Sequence, residues 1–437
     1  FVQSGIRMRL YSHTSGLKVV VTSAPGPQID LGVSLATPAT DDSGLPHTLE
    51  HLVFLGSQAY PYRGVLDLLA NKVFADGTNA YTAQTETVYT ASCHSREGFT
   101  TLLPIYMDHL LRPTLSDDAF HSEVYHMNKD NEDTGVVYSE MAARQEKDWS
   151  RLWRACLKSM YGDSVFSYDS GGLLEELRTL TNAKIREYHS RYYRLDNMIM
   201  CVTGSIHPNE IFEALEPWMD TWAPATPTPE RPFTQSLAAL QPLTGQSTVE
   251  ILFPDGDDES PGSVAWVSRT CRYGDFVEVL ALEALLELVC DTAVAPLRRA
   301  LVDAEDALCA DLAWDVDEGP EYLAEIVMQA VDPDNLLGAA EALRAELAKA
   351  AGDADLFDMA SPSSRLRKII ENNRWAWIST LENGSSLHKE IVHIASAFSC
   401  FAASDDAMTL ERACRRADDY VTLLSKPTEW WQHLFTK

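Results

Sequence analysis

Two histidines and a glutamate stand close together in the segment His47-Thr48-Leu49-Glu50-His51. On a helix, residues four apart share a face, so the two imidazoles would point the same way, one turn apart. Two neutral imidazoles at that spacing can bind one Zn2+ through bonds of about 2.0–2.1 Å. Glu50, three residues after His47, falls on the same side and slightly off the line of the two rings. A carboxylate there can hold a water and take its proton. Zinc brings the pKa of such a water to about 7, so a modest base is sufficient at neutral pH. The expected centre is one Zn2+ per chain, with His47 and His51 as ligands and Glu50 as the base.

A catalytic zinc needs a third protein ligand and one open position. The carboxylates downstream are Glu123, Glu132, Asp133, Glu140 and Glu146. The stretch 135–141, GVVYSEM, favours Glu140. Its apolar Val136 and Val137 predict a buried helix start that would carry Glu140 inward. A buried carboxylate without a partner is costly, and coordinating a metal removes that cost. His94, His109, His121 and His126 match no ligand spacing and read as ordinary surface or core histidines. Tyr81, Thr82 and Thr85 read as strand-packing residues. Glu132 or Asp133 could steady a ligand histidine from behind, although NKDNEDTG at 128–135 also reads as a plain acidic turn.

The elements that must position these residues are mixed α and β. Residues 45–56 read as a helix, opened by Asp41, Asp42, Ser43 and Gly44, with Pro46 in its first turn. Residues 17–22, 29–35, 85–92 and 198–204 read as strands rich in β-branched residues. Residues 97–111 read as a helix with Pro104 as a kink or break, 135–160 as one long helical stretch, and 208–218 as a short helix. Further on, 248–253 and 263–268 read as strands, and 275–303, 333–351 and 405–425 as helices. Four prolines between Pro224 and Pro232 suggest a semi-rigid linker. The expected division is a zinc-binding domain over 1–222, a Pro-rich linker over 223–245 and a second domain over 246–437.

Composition narrows the function classes. The 437 residues are 45% hydrophobic and 23% charged, as in a globular protein, and the length suggests two or three domains. The formal charge of −29 disfavours nucleic acid and anionic membranes and favours basic partners. No apolar run is long enough to span a bilayer, so membrane insertion is not expected. The eight cysteines are widely and irregularly spaced, without a CxxC pair. That pattern suggests reduced thiols in the cytoplasm or, alternatively, a mitochondrial or other organelle matrix.

Three segments in order carry a family resemblance: His47–His51 with LVFLGSQAYPYRG after it, GTNAYTAQTETVYT at 77–90, and GVVYSEM at 135–141. Together they resemble the M16 family of inverted-zincin (HxxEH) metallopeptidases. The branch most resembled is that of presequence protease and falcilysin, in its N-terminal half, and the similarity is strongest over 17–220. The resemblance implies an α+β fold of two similar M16-type domains, each an antiparallel-rich sheet packed with helices. It implies His47, His51 and Glu140 as zinc ligands, Glu50 as the base, and Asn79 and Ala80 as an edge strand that pairs with a bound peptide. Phe54 matches an apolar wall beside the scissile bond. The implied activity is zinc-dependent cleavage of short or unfolded peptides, and the formal charge of −29 makes basic peptides the expected substrates. Members of the branch enclose a chamber with a second half that supplies an Arg and a Tyr near the substrate carbonyl. No residue here matches those two. The expectation is therefore a C-terminal M16 half in the same full-length chain or on a separate subunit. The alternative is a non-catalytic structural or assembly subunit of the same fold.

Overall fold

The computed structural model describes residues 2–3, 6–223, 231–252, 260–402 and 407–437. Two compact units form, each from separate stretches of chain. The first comprises Phe1–Gln145, Asp163–Leu240 and Leu381–Cys414, and the second Glu146–Gly162, Gln241–Thr380 and Arg415–Lys437. The contiguous domains 1–222 and 246–437 remain a proposal about domain organisation, because the compact units interleave along the sequence. Residues 224–230 of the expected linker lie outside the described residues.

The first unit is built on a sheet with β1 (Val2–Gln3), β2 (Ile6–Ser12), β3 (Lys18–Ser23), β4 (Ile29–Ala36), β5 (Ala75–Thr82), β6 (Glu86–Cys93) and a late strand, Met198–Gly204. Between β6 and that late strand, β7 (His126–Met127) and β8 (Asp133–Thr134) form a separate small hairpin, so the late strand is β9. The sheet order is β1-β2-β3-β9-β4-β6-β5. Only β3 and β9 run parallel, among the described strands of this sheet. The fold class is α+β, as expected.

Strand β4, IDLGVSLA, is buried at all eight positions and does not alternate. A strand reads this way when both faces of its sheet are covered. One face packs into the main core with α1 (Leu45–Val53) and α3 (Arg96–Leu111), through Leu49, Leu52, Leu102 and Leu103. The other face is covered by the helix Gly384–Phe401, which packs on β4 and β9. A side chain at Gly32 would collide with Val392 of that helix, so the close approach requires glycine there. Ser396 donates to Ser34 at 2.8 Å and His388 Nδ1 meets Thr203 Oγ1 at 3.0 Å across the same contact.

Local chemistry sets where α1 begins. Gly44 sits at φ 69°, and a Cβ there would strike the Gly171 carbonyl. Pro46 occupies the first turn, where its missing N–H costs nothing. Between α1 and α3 lies α2 (Val65–Lys72), packed on β5. Helix α3 runs unbroken through Pro104, because one lost donor is outweighed by the core contacts of the turns on both sides. Its Asp108 is fully buried: the carboxylate accepts from the Ala59 backbone at 3.1 Å and from Trp222 Nε1 at 3.1 Å. The turn after α1 is thereby tied to α3 and to the helix Pro208–Trp222.

After α4 (Asp117–Glu123), the expected single helix over 135–160 is two helices, α5 (Val136–Gln145) and α6 (Asp148–Tyr161). Lys147 is extended between them, at φ −77° and ψ 140°. The second unit contains α6 and the antiparallel sheet β10 (Gly262–Arg272), β12 (Glu321–Val331) and β11 (Asp311–Asp317), in that order. The strand expected over 263–268 falls within β10. Residues 248–252 of the other expected strand are irregular and exposed, with Leu252 90% exposed, because no strand pairs with them among the described residues. The helix expected over 275–303 is interrupted between Cys290 and Pro296, and that over 405–425 becomes Ala407–Ala413 and Arg416–Leu424. No described helix is long and apolar enough to cross a membrane.

Candidate metal centre

Helix α1 presents His47 and His51 on one face, with their Nε2 atoms 3.3 Å apart and their rings edge to face. Helix α5 brings Glu140 against both. One carboxylate oxygen lies 3.6 Å from His47 Nε2, and the other 3.4 Å from His51 Nε2. All three donor groups lie within 4.8 Å of one another, the one such group of His, Cys, Asp or Glu among the described residues. A tetrahedron with bonds of about 2.0–2.1 Å has edges of about 3.3–3.4 Å. The nitrogen–nitrogen and nitrogen–oxygen separations match those edges, so the donor set fits a four-coordinate zinc with one open position.

Glu140 joins this cluster, but it is not carried into the interior as the apolar Val136 and Val137 suggested. Val136 is 48% exposed and the Glu140 side chain is half exposed. Only Val137, Tyr138 and Met141 of this helix are buried. Glu140 lies on the rim of the core, facing the two histidines, rather than inside it.

Burial and the neighbouring His51 hold the His47 imidazole down at about 4. It is neutral at pH 7, as a ligand must be. For His51, burial pulls downward, but the Glu123 hydrogen bond and the Glu50 and Glu140 carboxylates outweigh it and raise the imidazole above its ordinary value. Burial raises Glu50, opposed by the Thr82 hydrogen bond and by His51. Glu50 is half-buried and points to β5, where the Thr82 hydroxyl donates to its carboxylate at 2.6 Å.

Two residues beside the cluster escaped the sequence reading in these roles. Glu123, at the end of α4, is 7% exposed and meets His51 Nδ1 at 3.4 Å. Its other oxygen accepts from Arg63 at 3.0 Å. The His51 hydrogen bond, with Arg63 assisting, holds its carboxyl below the usual range against the pull of burial. Neither Glu132 nor Asp133 steadies a ligand histidine. Glu132 accepts from Asn128 in the hairpin, and Asp133 pairs with Arg178 at 2.8 Å and accepts from Tyr125 and Tyr138. Thr82, read as strand packing, is the second. Nothing local marks either residue, because each contact depends on how distant elements pack.

Asn79 and Ala80 lie on β5, the outermost strand beside β6. Asn79 is exposed, whereas Ala80 packs against the core. Phe54, just past α1, packs edge to face on Tyr89 at 5.6 Å and leans on Tyr106 at 6.0 Å. His94 pairs with Asp76, His109 bonds Ile105 O, and His126 bonds His121 O and Thr134.

Comparison with known proteins places this geometry in context. A family model described as insulinase, peptidase family M16, matches residues 21–151, and one described as the peptidase M16 inactive domain matches 179–360. An uncharacterised protein of Caenorhabditis elegans is 31% identical over 442 residues, covering 100% of this chain and 43% of that protein. Presequence protease 1 of Arabidopsis thaliana is 28% identical over 309 residues, covering 68% of this chain and 28% of that protein. The chain thus spans less than half the length of these relatives. A protease from Helicobacter pylori shares the fold, with a TM-score of 0.72 at 17% identity over 98% of this chain and 96% of that one.

Proposed function

The chain belongs to the M16 peptidase family, and from that premise we propose that it is the zinc-binding half of a metalloendopeptidase acting on short or unfolded peptides. The observation that carries the reading is the convergence of His47, His51 and Glu140 at tetrahedral-edge spacing, with Glu50 one residue from His51. His47, His51 and Glu140 would hold one Zn2+ per chain. A zinc ion bound there supplies Lewis acidity that makes a water reactive near neutral pH and polarises the scissile carbonyl.

The remaining work falls to side chains and backbone. Glu50 takes the proton from the attacking water and delivers it to the leaving amine. Glu123 holds His51 at Nδ1, leaving Nε2 for the metal. The outer edge of β5, at Asn79 and Ala80, would pair with an extended peptide as an added strand. Phe54 would form an apolar wall near the scissile bond. The family places transition-state donors in a second half, so the active chamber would be completed by a C-terminal M16 half in the same full-length chain or on a separate subunit. The short span relative to its relatives supports this. A location in the cytoplasm, or alternatively a mitochondrial or other organelle matrix, belongs to the same proposal. It is supported by eight cysteines that are all buried thiols.

The test is Glu50→Gln in the complete protein. Zinc stoichiometry is expected to stay at one per chain while peptide cleavage is lost. Cleavage that survives with zinc bound would exclude this mechanism. If the wild-type complete protein binds zinc and cleaves no peptide, the alternative reading as a non-catalytic assembly subunit of the M16 fold takes its place.

A further inference from the structure

Thr82 does more than pack a strand. Its hydroxyl donates to Glu50 at 2.6 Å and meets the Thr87 hydroxyl at 3.3 Å. Thr87 in turn meets the Thr37 hydroxyl at 2.9 Å. Thr82 and Thr87 are direct partners in the β5–β6 register, and Thr37 follows the last residue of β4, on the far side of β6. Three threonines, on β5, on β6 and just past the end of β4, therefore line up, and the line ends on the carboxylate proposed as the base.

The row has a direction. Thr37 and Thr87 are both fully buried, so each hydroxyl must find its partners inside the protein. An ionised carboxylate only accepts. With Thr82 donating to Glu50, Thr82 is free to accept from Thr87, and Thr87 from Thr37, with Tyr193 a further partner of Thr87 and Tyr188 of Thr37. Hydroxyls aligned head to tail polarise one another, and a terminal bond to a charged acceptor is the strongest in the row. The buried Tyr193 also faces Thr87 and bonds Tyr89 at 2.6 Å, which braces the inner end.

A carboxylate on a helix has rotamers to choose from. Here one oxygen is engaged by a group fixed in the sheet, which leaves the other for a water on the metal side. Valine would fit the same strand position, being β-branched and of similar size, but it could not hold the carboxylate.

We propose that Thr82, backed by Thr87 and Thr37, is a positioning residue that locks the Glu50 carboxylate in its working orientation. The inference rests on the reading of Glu50 as the base. It assigns Thr82 no contact with substrate or metal.

The experiment compares Thr82→Val, Thr82→Ser and Glu50→Gln in the complete protein. The readouts are turnover of an internally quenched basic nonapeptide, zinc stoichiometry and thermal midpoint. Losing a hydrogen bond to a charged group predicts a drop in kcat of about tenfold or more for Thr82→Val, with KM and zinc content unchanged. Thr82→Ser keeps the hydroxyl and should restore kcat to within about threefold of wild type. Thr87→Val, one strand further in, should give a smaller loss of the same kind, and it keeps the test open if Thr82→Val is poorly folded. The inference is overturned if Thr82→Val retains kcat while Glu50→Gln abolishes it. It is equally overturned if Thr82→Val acts by raising KM or emptying the zinc site, or if serine fails to rescue. Should Glu50→Gln itself remain active, the underlying assignment of the base is at fault instead.

Discussion

Glu123 meets His51 at Nδ1, on the opposite side of the ring from the Nε2 that faces His47 and Glu140. A carboxylate there selects the tautomer with the proton on Nδ1 and the lone pair on Nε2. The His51 hydrogen bond, with Arg63 at 3.0 Å assisting, holds that carboxyl below its usual range. Replacing Glu123 with Ala should weaken zinc binding by about 10- to 100-fold, with a smaller loss for Glu123→Gln, which can still accept a bond. Competition with a zinc-chelating dye measures this. An unchanged zinc Kd in the alanine variant would remove Glu123 from the centre.

Asp108 should behave as a structural anchor. Its buried carboxylate accepts from the Ala59 backbone and from Trp222, so alanine would strand two donors in the core. The expected cost is about 3 kcal/mol, read as a shift of the urea midpoint. A shift below about 1 kcal/mol would show that water replaces the carboxylate without penalty.

How much of this was legible in the sequence depended on range. His47, Glu50 and His51 could be read because one helical turn relates them. Glu140 could be read only through its local segment, and the apolar Val136 there points to a buried helix face that the structure leaves exposed. Glu123 and Thr82 could not be read, because their roles arise where α4 and β5 meet α1, and no local spacing encodes those approaches. The helix Gly384–Phe401 went unread for the same reason. In β4 the apolar residues alternate with Asp30, Gly32 and Ser34, so the sequence pointed to one covered face, whereas all eight positions are buried because that helix covers the second. At 248–252 the residues favour a strand, yet a strand needs a partner edge, and none pairs there among the described residues.

The second unit should be more stable in mild acid than its other groups alone would make it. Burial, then repulsion from Asp315, raises Asp317 to about 6, and burial with Asp317 and Asp315 raises Glu325 to about 7. Both titrate higher in the fold than in the unfolded chain. Below about pH 4 they are protonated in both states and cost nothing. The cost grows as pH rises and is complete above about pH 7. Glu325→Gln should therefore raise the thermal midpoint at pH 8 more than at pH 5. An equal change at both pH values would count against buried, mutually repelling carboxylates.

A formal charge of −29 should make turnover sensitive to substrate charge. Basic peptides are expected to show the higher kcat/KM at low salt, with the difference shrinking as ionic strength rises. Matched basic and acidic quenched peptides, assayed on the complete protein at two salt concentrations, decide this. Equal turnover of both at low salt would remove the electrostatic preference.

The contact between Ser34 and Ser396 joins positions 362 residues apart. Translation runs from the N-terminus, so α1 and its histidines leave the ribosome long before the helix that covers the back of their sheet. Until then β4 would present Gly32, Ser34 and the neighbouring β9 surface to solvent or to a chaperone. A nascent chain paused before residue 384 would carry every candidate metal ligand on an unfinished platform. The order of synthesis would thus delay completion of the sheet beneath the candidate metal ligands until most of this segment has been made.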